Sequence, residues 1–507
     1  MIREATRNSE AVVEYTSDEA TILCAHGLQR DAHGLICWLP GSADHPRNWN
    51  SGRKFYTICL IILLELYTTI ISTTGAAVAR EVGPRYGLEE LPVLFAFISM
   101  YQLGQAVGGY FIPPLSEIAG RWWPYFVSSL LFSVFCLVIP LGGHVATIYA
   151  GRFITGLASA VPSVVIAGSI EDLFNIRQRV WMVIIWNSST TIALCLGPIY
   201  ASYMIARVGW EWVYYSASIC TLAMSVALLP MRESRPSVLL GRKIEELREL
   251  KSIADLRWTN ADVAQNRQAW TRIVVVRPMQ ILVTEPLVML VALTSGISWS
   301  VVYLLTESIS GIYSTMGFTN SEASLVFLSV AVGVLVTLGP RFAEIKQVDQ
   351  LQAAGKHVEP EDKMRGFMYA GPALTLGLFW FAWSVPPATS VHWAVPTLSL
   401  VPIGFAVNES AHSLSGYLAD SYMLYSASVF AGLALTRALI SGFMPLAAHA
   451  LYARLDANRA GSVLAGVSLV FGTAAFIFLR YSKALRRRSP FASYSMAMHQ
   501  LTQVELD

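Results

Sequence analysis

Charged residues are scarce in this chain of 507 residues. Only 14% of its residues are Asp, Glu, Lys or Arg, against about 25% in an average soluble domain, and 54% are hydrophobic. A surface with so little charge is suited to lipid over much of its area. The composition therefore excludes an ordinary soluble domain and predicts a polytopic membrane protein.

Several patterns that define other protein classes are missing. The sequence contains no Walker A motif, so ATP is not expected to be the energy source. Its six cysteines have neither paired nor metal-ligand spacing, so we expect no disulfide, no metal site and no cofactor. No nucleophile or pair of catalytic acids stands at a membrane face, which argues against an enzyme, and no nucleic-acid partner is expected. The first fifty residues have no apolar core that a cleavable signal would need, and we interpret them as a cytoplasmic tail.

What the sequence does contain is a series of apolar runs, each about as long as a helix that crosses a hydrocarbon core of roughly 30 Å. Six runs precede a charged interval at 231–283 and six follow it. We number them spans 1 to 12: 55–78, 92–112, 124–142, 148–170, 180–204, 211–229, 284–310, 322–342, 367–385, 392–416, 424–446 and 461–481. The predicted units are a tail (1–53), a six-helix half (54–230), the central loop (231–283), a second six-helix half (284–482) and a final tail (483–507).

Lysine and arginine are distributed unevenly between the loops. The central loop and the segment after span 12 are rich in both residues, whereas the alternate loops contain only Arg80, Arg85, Arg207, Arg454 and Arg459. By the positive-inside rule, both termini and the central loop should be cytoplasmic. Segments 108–117 and 338–344 also resemble each other, which indicates internal duplication and a substrate site between the halves.

Several ionisable residues stand within predicted spans, where each costs about 2.5 to 3.5 kcal/mol on insertion scales. Among them, Arg437 in span 11 can be paired structurally or take part in coupling, and Arg152 and Arg437 could hold an anionic substrate. Glu65 in span 1 shares a helix face with Thr69 and is a candidate for proton binding, although a structural carboxylate fits the same pattern. Arg152 opens span 4, where it can respond to a nearby carboxylate or extend to the membrane interface. Glu409 in span 10 is a further candidate for proton coupling.

Aromatic and polar residues at helical spacing predict where a substrate binds. Such a mixture suits a bulky, partly apolar ligand, although packing or lipid-facing aromatics produce the same pattern. The candidates are Thr69, Gln105 and Asn187 in the first half and Trp299, Tyr303, Glu307, Asn408 and His412 in the second.

Three short motifs resemble those of the major facilitator superfamily, and within it the fungal drug:proton antiporters with twelve spans. Ser116, Glu117, Gly120 and Arg121 resemble motif A, although Trp122 replaces its second basic residue. The residues around Arg152 resemble motif B, and Gly197 with Pro198 resembles the core of the antiporter motif C. The resemblance implies an all-α bundle of twelve helices in two pseudo-symmetric halves. It also implies that motif A locks a gate and that the motif B arginine takes part in proton coupling.

The resemblance further implies a function. We expect a secondary transporter that exports a small hydrophobic or amphipathic compound, such as a drug, toxin or fungal secondary metabolite, in exchange for protons by alternating access. A monomer in the plasma membrane is expected, with a vacuolar or vesicular membrane as the alternative location. Two other functions stay open: a proton-linked importer of a small metabolite, and a membrane sensor that has lost transport.

Overall fold

The fold is an all-α bundle, seen in a computed structural model that describes residues 17–31, 34–249, 270–354, 360–364, 366–389, 391–422, 425–489 and 491–493. Each predicted span coincides with helix. In the first half these helices are Ser51–Thr73 and Gly75–Tyr86, Glu90–Ala119, Trp122–Leu141, Val145–Leu173, Ile176–Val208 and Glu211–Leu228. In the second half they are Pro286–Ser314, then Asn320–Ser324, Phe327–Val336 and Leu338–Ala353, then Phe367–Trp383, Leu400–Ser421, Ser426–Arg454 and Ala457–Arg488.

Within the described residues, eight helices are long and apolar enough to cross a membrane, and Phe367–Trp383 is apolar but shorter. Several predicted bounds need correction. Span 10 was expected from residue 392, but its main helix begins at Leu400, after the short helix Ala394–Leu398. Span 12 extends to Arg488 because polar residues continue its helix beyond the apolar run. Hydropathy marks the apolar part of a helix and not its ends.

Spans 2 and 4 approach each other at glycines. A Cβ placed on Gly104 would lie 1.9 Å from the carbonyl oxygen of Phe153, and one on Gly156 would lie 1.9 Å from that of Tyr101. Only glycine permits backbones to meet this closely. Between the halves, span 2 packs against span 11 and span 5 against span 8. This arrangement leaves spans 1, 2, 4, 5, 7 and 11 around a common interior.

The side of the bundle that carries the central loop, here called the loop side, has a small additional layer. Helix Ser17–Ala25 and the antiparallel strands β1 (Leu28–Arg30) and β2 (Ile36–Trp38) pack on helix Pro236–Glu249. The apolar residues between them are Leu23, Leu28, Ile36, Leu240, Ile244 and Leu247. Lys243 donates to the carbonyl oxygen of His26 at 2.8 Å and lies over the Trp38 ring. The described part of the first tail is therefore joined to the central loop.

Candidate functional site

A narrow polar cavity lies between the two halves. Its lining residues come from spans 1, 2, 4 and 5 of the first half and spans 7 and 11 of the second: Glu65, Thr69, Ser72, Gln102, Gln105, Ser163, Thr190, Trp299, Tyr303, Arg437 and Ser441. A second cavity adjoins the first one and shares Ser163, Trp299 and Arg437 with it. The free volumes are about 10 Å³ and 30 Å³, room for about one or two water molecules. The free space at this site is therefore too small for a drug-sized compound.

Glu65 provides the negative charge of the cavity. It lies on span 1 and only 2% of its surface is exposed. One carboxylate oxygen accepts a hydrogen bond from the Trp186 indole N–H, and the other accepts from the Thr190 hydroxyl at 3.2 Å. Both donors belong to span 5. They can reach the same carboxylate because residues four apart share one face of a helix. These two bonds offset part of the cost of burying the carboxylate.

Arg437 provides the positive charge. Its guanidinium lies 4.5 Å from the centre of the Trp299 ring, within the range of a cation–π interaction. The described residues contain no carboxylate within 4.0 Å of this guanidinium, although its charge and that of Glu65 influence each other. Tyr303, one turn after Trp299, forms a hydrogen bond with Ser72 and so joins span 7 to span 1. The site thus combines two opposite charges with two aromatic rings.

Five of the predicted substrate-binding residues border these cavities, namely Thr69, Gln105, Asn187, Trp299 and Tyr303. The other three lie outside the cavity linings. Asn408 accepts from Thr191 at 3.0 Å and donates to Thr337 at 2.9 Å, so it links the halves directly. The Glu307 carboxylate lies nearer the opposite side of the bundle, close to Glu90 and His449. His412 follows Asn408 on span 10, one turn later.

Arg152 is buried away from the cavity. Its guanidinium donates to the Phe97 carbonyl oxygen at 2.6 and 2.8 Å and to the carbonyl oxygens of Ile71 and Ser72 at 3.4 Å. It also lies over the Tyr101 ring at 4.4 Å. These carbonyl groups are accessible because span 2 has a π-helical turn at Phe95–Ser99 and the first helix of span 1 ends at Thr73. Arg152 therefore joins spans 1, 2 and 4, and no carboxylate of the described residues forms an ion pair with it.

Glu409 also lies away from Glu65. It is fully buried and forms an ion pair with Arg341, at the end of span 8. Arg341 pairs with Glu344 as well, and the Ser413 hydroxyl donates to Glu409 at 3.0 Å. A Cβ on Gly366 would overlap the Glu409 carboxylate, which places this cluster where span 9 begins. Glu409, a predicted candidate for proton coupling, thus lies outside the cavity linings, and its charge is compensated by Arg341 in the segment that resembles 108–117.

The motif A residues form the matching cluster in the first half. Arg121 is 3% exposed, donates to Asp172 at 2.9 Å and donates to the Ser116 hydroxyl at 2.7 Å. Asp172 also accepts from Arg235 of the central loop at 3.1 Å. Arg121 and Asp172 join the end of span 2 to the end of span 4, and Arg341 and Glu409 join span 8 to span 10 in the second half. Each half is therefore fastened on the loop side by a buried arginine and carboxylate.

Glu233, just after span 6, completes the first-half cluster. Its carboxylate accepts backbone N–H groups of Arg121, Trp122, Ser234 and Arg235 at 2.7 to 3.1 Å. Gly120 has φ of +95°, and a Cβ there would lie 2.3 Å from a Glu233 oxygen, so glycine is required. Glu117 is partly buried and lies within electrostatic influence of Arg277, which precedes span 7. The Trp122 indole, at the second basic position of motif A, donates to the Leu228 carbonyl oxygen at 2.9 Å.

Gly197 and Pro198 lie within the continuous helix Ile176–Val208. A Cβ on Gly197 would lie 1.9 Å from the Thr73 hydroxyl and 2.5 Å from the Ile70 carbonyl oxygen. Span 5 therefore meets span 1 backbone to backbone, near the end of its first helix. This close approach is the structural role of the glycine.

We expect Gly197→Ala to destabilise the protein by about 1–3 kcal/mol, because the added methyl group must displace backbone. Thermal unfolding of the purified protein measures this loss. Gly311→Ala is the matched control, since a Cβ there meets nothing within 4 Å. Equal unfolding temperatures for the two variants would contradict the close approach.

Sequence reasoning did not select Gln102, Trp186, Thr190 or Ser441 for the site and considered Arg437 only for an anionic substrate or for coupling, and the structure places all of them in the cavity linings. For two of these residues the sequence contains a pattern that could have identified them. Thr190 lies one turn after Trp186 on the face that carries Asn187, and Arg437 is an arginine inside an apolar run. The remaining residues are recognised only when the helices are packed.

Comparisons with known proteins agree with this architecture. The family model of the Major Facilitator Superfamily matches residues 57–431. MFS-type transporter penM of Penicillium rubens is 27% identical, over 90% of each chain. Multidrug transporter TPO1_2 of Candida glabrata is 27% identical, over 90% of this chain and 79% of its own. Efflux pump radE of Floropilus chiversii is 25% identical, over 96% of this chain and 92% of its own.

The structure of the proton:xylose symporter XylE bound to 6-bromo-6-deoxy-D-glucose superposes with a TM-score of 0.62 at 16% identity. The match covers 85% of this chain and 97% of that one, which supports the shared fold. The family model spans well over half of the sequence, and both halves of the bundle surround one central site. The chain therefore belongs to the Major Facilitator Superfamily, a superfamily of membrane transporters and not of enzymes.

Proposed function

We propose that this protein exports a small hydrophobic or amphipathic compound, a drug or a secondary metabolite, in exchange for protons. The names of its relatives, an efflux pump and a multidrug transporter among them, support export. The aromatic residues Trp299 and Tyr303 at the cavity supply apolar contact for such a compound.

The observation that carries this proposal is Glu65, a buried carboxylate at the interface between the halves. Its hydrogen bonds come from neutral donors, and it borders a cavity that also contains Arg437. Binding a proton there removes a charge from a site with little water, which changes the interaction of span 1 with Arg437 on span 11. A proton shifts the balance between two conformations only when it binds them with different affinity. A carboxylate located between the moving halves meets that requirement.

Contacts between the halves on both sides of the cavity support alternating access. On the side away from the loop, the Ser99 hydroxyl donates to the Gly442 carbonyl oxygen at 2.7 Å. Thr191 and Asn408 are joined near the level of the cavity, and on the loop side the Tyr110 hydroxyl donates to the Val275 carbonyl oxygen. Opening either side would require one set of these contacts to separate while the other set holds.

The remaining candidates receive structural roles in this proposal. Arg152 maintains the packing of spans 1, 2 and 4, and Glu409 with Arg341 maintains the second half on the loop side. Ser116, Glu117, Gly120 and Arg121 maintain the first half. The excess of Lys and Arg in the central loop supports a cytoplasmic loop side with both termini inside. From the family resemblance we further propose a monomer in the plasma membrane.

The test is the direction of proton movement in proteoliposomes that contain a pH-sensitive dye. A library of aromatic compounds is added outside without an imposed gradient. Exchange predicts that a transported compound enters while protons leave, so the interior becomes alkaline. Acidification would instead show proton-linked import, and accumulation or binding without any pH change would contradict proton coupling.

A further inference from the structure

The charges around the two cavities cancel. Among the described residues that line them, Glu65 and Arg437 are the charged ones, and all the others are neutral. The two side chains border the same cavity, and their charges influence each other without a direct ion pair. When Glu65 holds no proton, the site therefore presents one full charge of each sign and a formal sum of zero.

A charged ligand gains little from such a site. An organic cation would be attracted by Glu65 and repelled by Arg437, and an organic anion would meet the reverse. Either ion would still lose its hydration, which costs several kcal/mol per ion in a protein interior unless an opposite charge compensates it. An uncharged ligand avoids this cost, and it can donate hydrogen bonds to Glu65 and accept them from Arg437.

The aromatic residues near Arg437 also favour a particular ligand shape. One face of its guanidinium is covered by the Trp299 ring, which orients the charge without neutralising it. Tyr303 stands one helical turn away on the same span and borders the first cavity. A flat apolar body beside these rings would bring polar groups at its edge within reach of both charges.

We propose that Arg437 and Glu65 together select substrates without net charge that carry both hydrogen-bond donors and acceptors on an aromatic or polycyclic body. This inference rests on the proposed function and names its substrate class. Arg437 acts here as a specificity-determining residue. Without its positive charge the site should prefer cations, and without the negative charge of Glu65 it should prefer anions.

The test uses three probes with the same ring system: naphthamide, which is neutral, naphthoate, which is anionic, and naphthylmethyl-trimethylammonium, which is cationic. Binding to the purified full-length protein in detergent is measured by calorimetric titration at a pH alkaline enough to leave Glu65 ionised. The wild type should bind naphthamide about tenfold more tightly than either ion, a modest figure for a unit charge several ångströms away at an effective dielectric constant of about 20.

Three variants complete the design. Arg437→Gln should make the ammonium probe the tightest ligand, and Glu65→Gln should do the same for naphthoate, each with a change of about tenfold. The double variant Glu65→Gln with Arg437→Gln should again prefer naphthamide, which would show that the order of affinities follows the charge of the site and not the loss of a particular side chain. Failure of the wild type to prefer naphthamide, or an unchanged order in the single variants, would overturn the inference.

This binding experiment requires no pH gradient and no transport. If the order of affinities is as expected but no probe or library compound moves protons in liposomes, the proposed exchange fails alone. If protons move as expected but the wild type prefers an ion, only the inference about substrate charge fails.

Discussion

Glu65→Gln should abolish the accumulation of substrate against a concentration difference. With the membrane potential clamped at zero, one pH unit can drive about tenfold accumulation for each proton exchanged, because a tenfold ratio corresponds to about 1.4 kcal/mol. The variant should accumulate none, since glutamine cannot exchange a proton. A glutamine oxygen can still accept from the Trp186 indole, so the cavity keeps its shape. Uptake of a neutral substrate into proteoliposomes with an imposed gradient measures the effect.

Two controls define this result. Glu246→Gln removes an exposed carboxylate on the central-loop helix and should leave accumulation unchanged. Exchange of labelled for unlabelled substrate across the membrane, without a gradient, should persist in Glu65→Gln because it requires no net proton movement. Accumulation that continues in this variant would assign the coupling proton to another group.

Asp172→Ala should produce the largest loss of stability. Its carboxylate is the shared partner of Arg121 and Arg235, and the side chains of Asp172 and Arg121 are each only 4% exposed. Removing it leaves a buried guanidinium without its counterion, a change that typically costs about 3 kcal/mol or more. Thermal or denaturant unfolding of the purified protein measures this loss.

Glu245→Ala is the matched control, because Glu245 pairs with Arg248 at 3.3 Å where both side chains are at least half exposed. Surface pairs of this kind contribute about 0.2–1 kcal/mol, so the control should unfold almost as the wild type does. A similar small effect for Asp172→Ala would mean that the loop-side cluster is hydrated and contributes little to stability.

The sequence was most informative at ionisable residues that stand in apolar runs. Glu65 was selected because a carboxylate in an apolar run is costly, and it does border the cavity between the halves. Trp299 and Tyr303 followed from helical spacing and are also found there. The same argument selected Arg152 and Glu409, but both side chains lie away from the cavity, where they bind partners that are distant in the sequence. The free-energy cost of an ionisable side chain in an apolar run indicates that the side chain needs a partner, but it does not identify the partner.

Arg152 and Arg437 show this limit most directly. Both are arginines in apolar runs, and hydropathy alone does not distinguish them. The π-helical turn of span 2 offers Arg152 a set of carbonyl groups, whereas Arg437 meets the Trp299 ring and borders both cavities. Such a turn depends on helix packing and not on hydropathy, so the distinction appears only in three dimensions.

The amino-acid sequence by itself determined the membrane character, the twelve spans, the division by a charged loop and the short motifs of the family. These features follow from the cost of placing polar groups in hydrocarbon, which acts on each segment separately. The tertiary structure decided which ionisable residues come near each other: Glu65 and Arg437 border one cavity, Arg121 pairs with Asp172, and Arg341 pairs with Glu409. These pairs join residues far apart in the chain, and electrostatic energy depends on their distance in space.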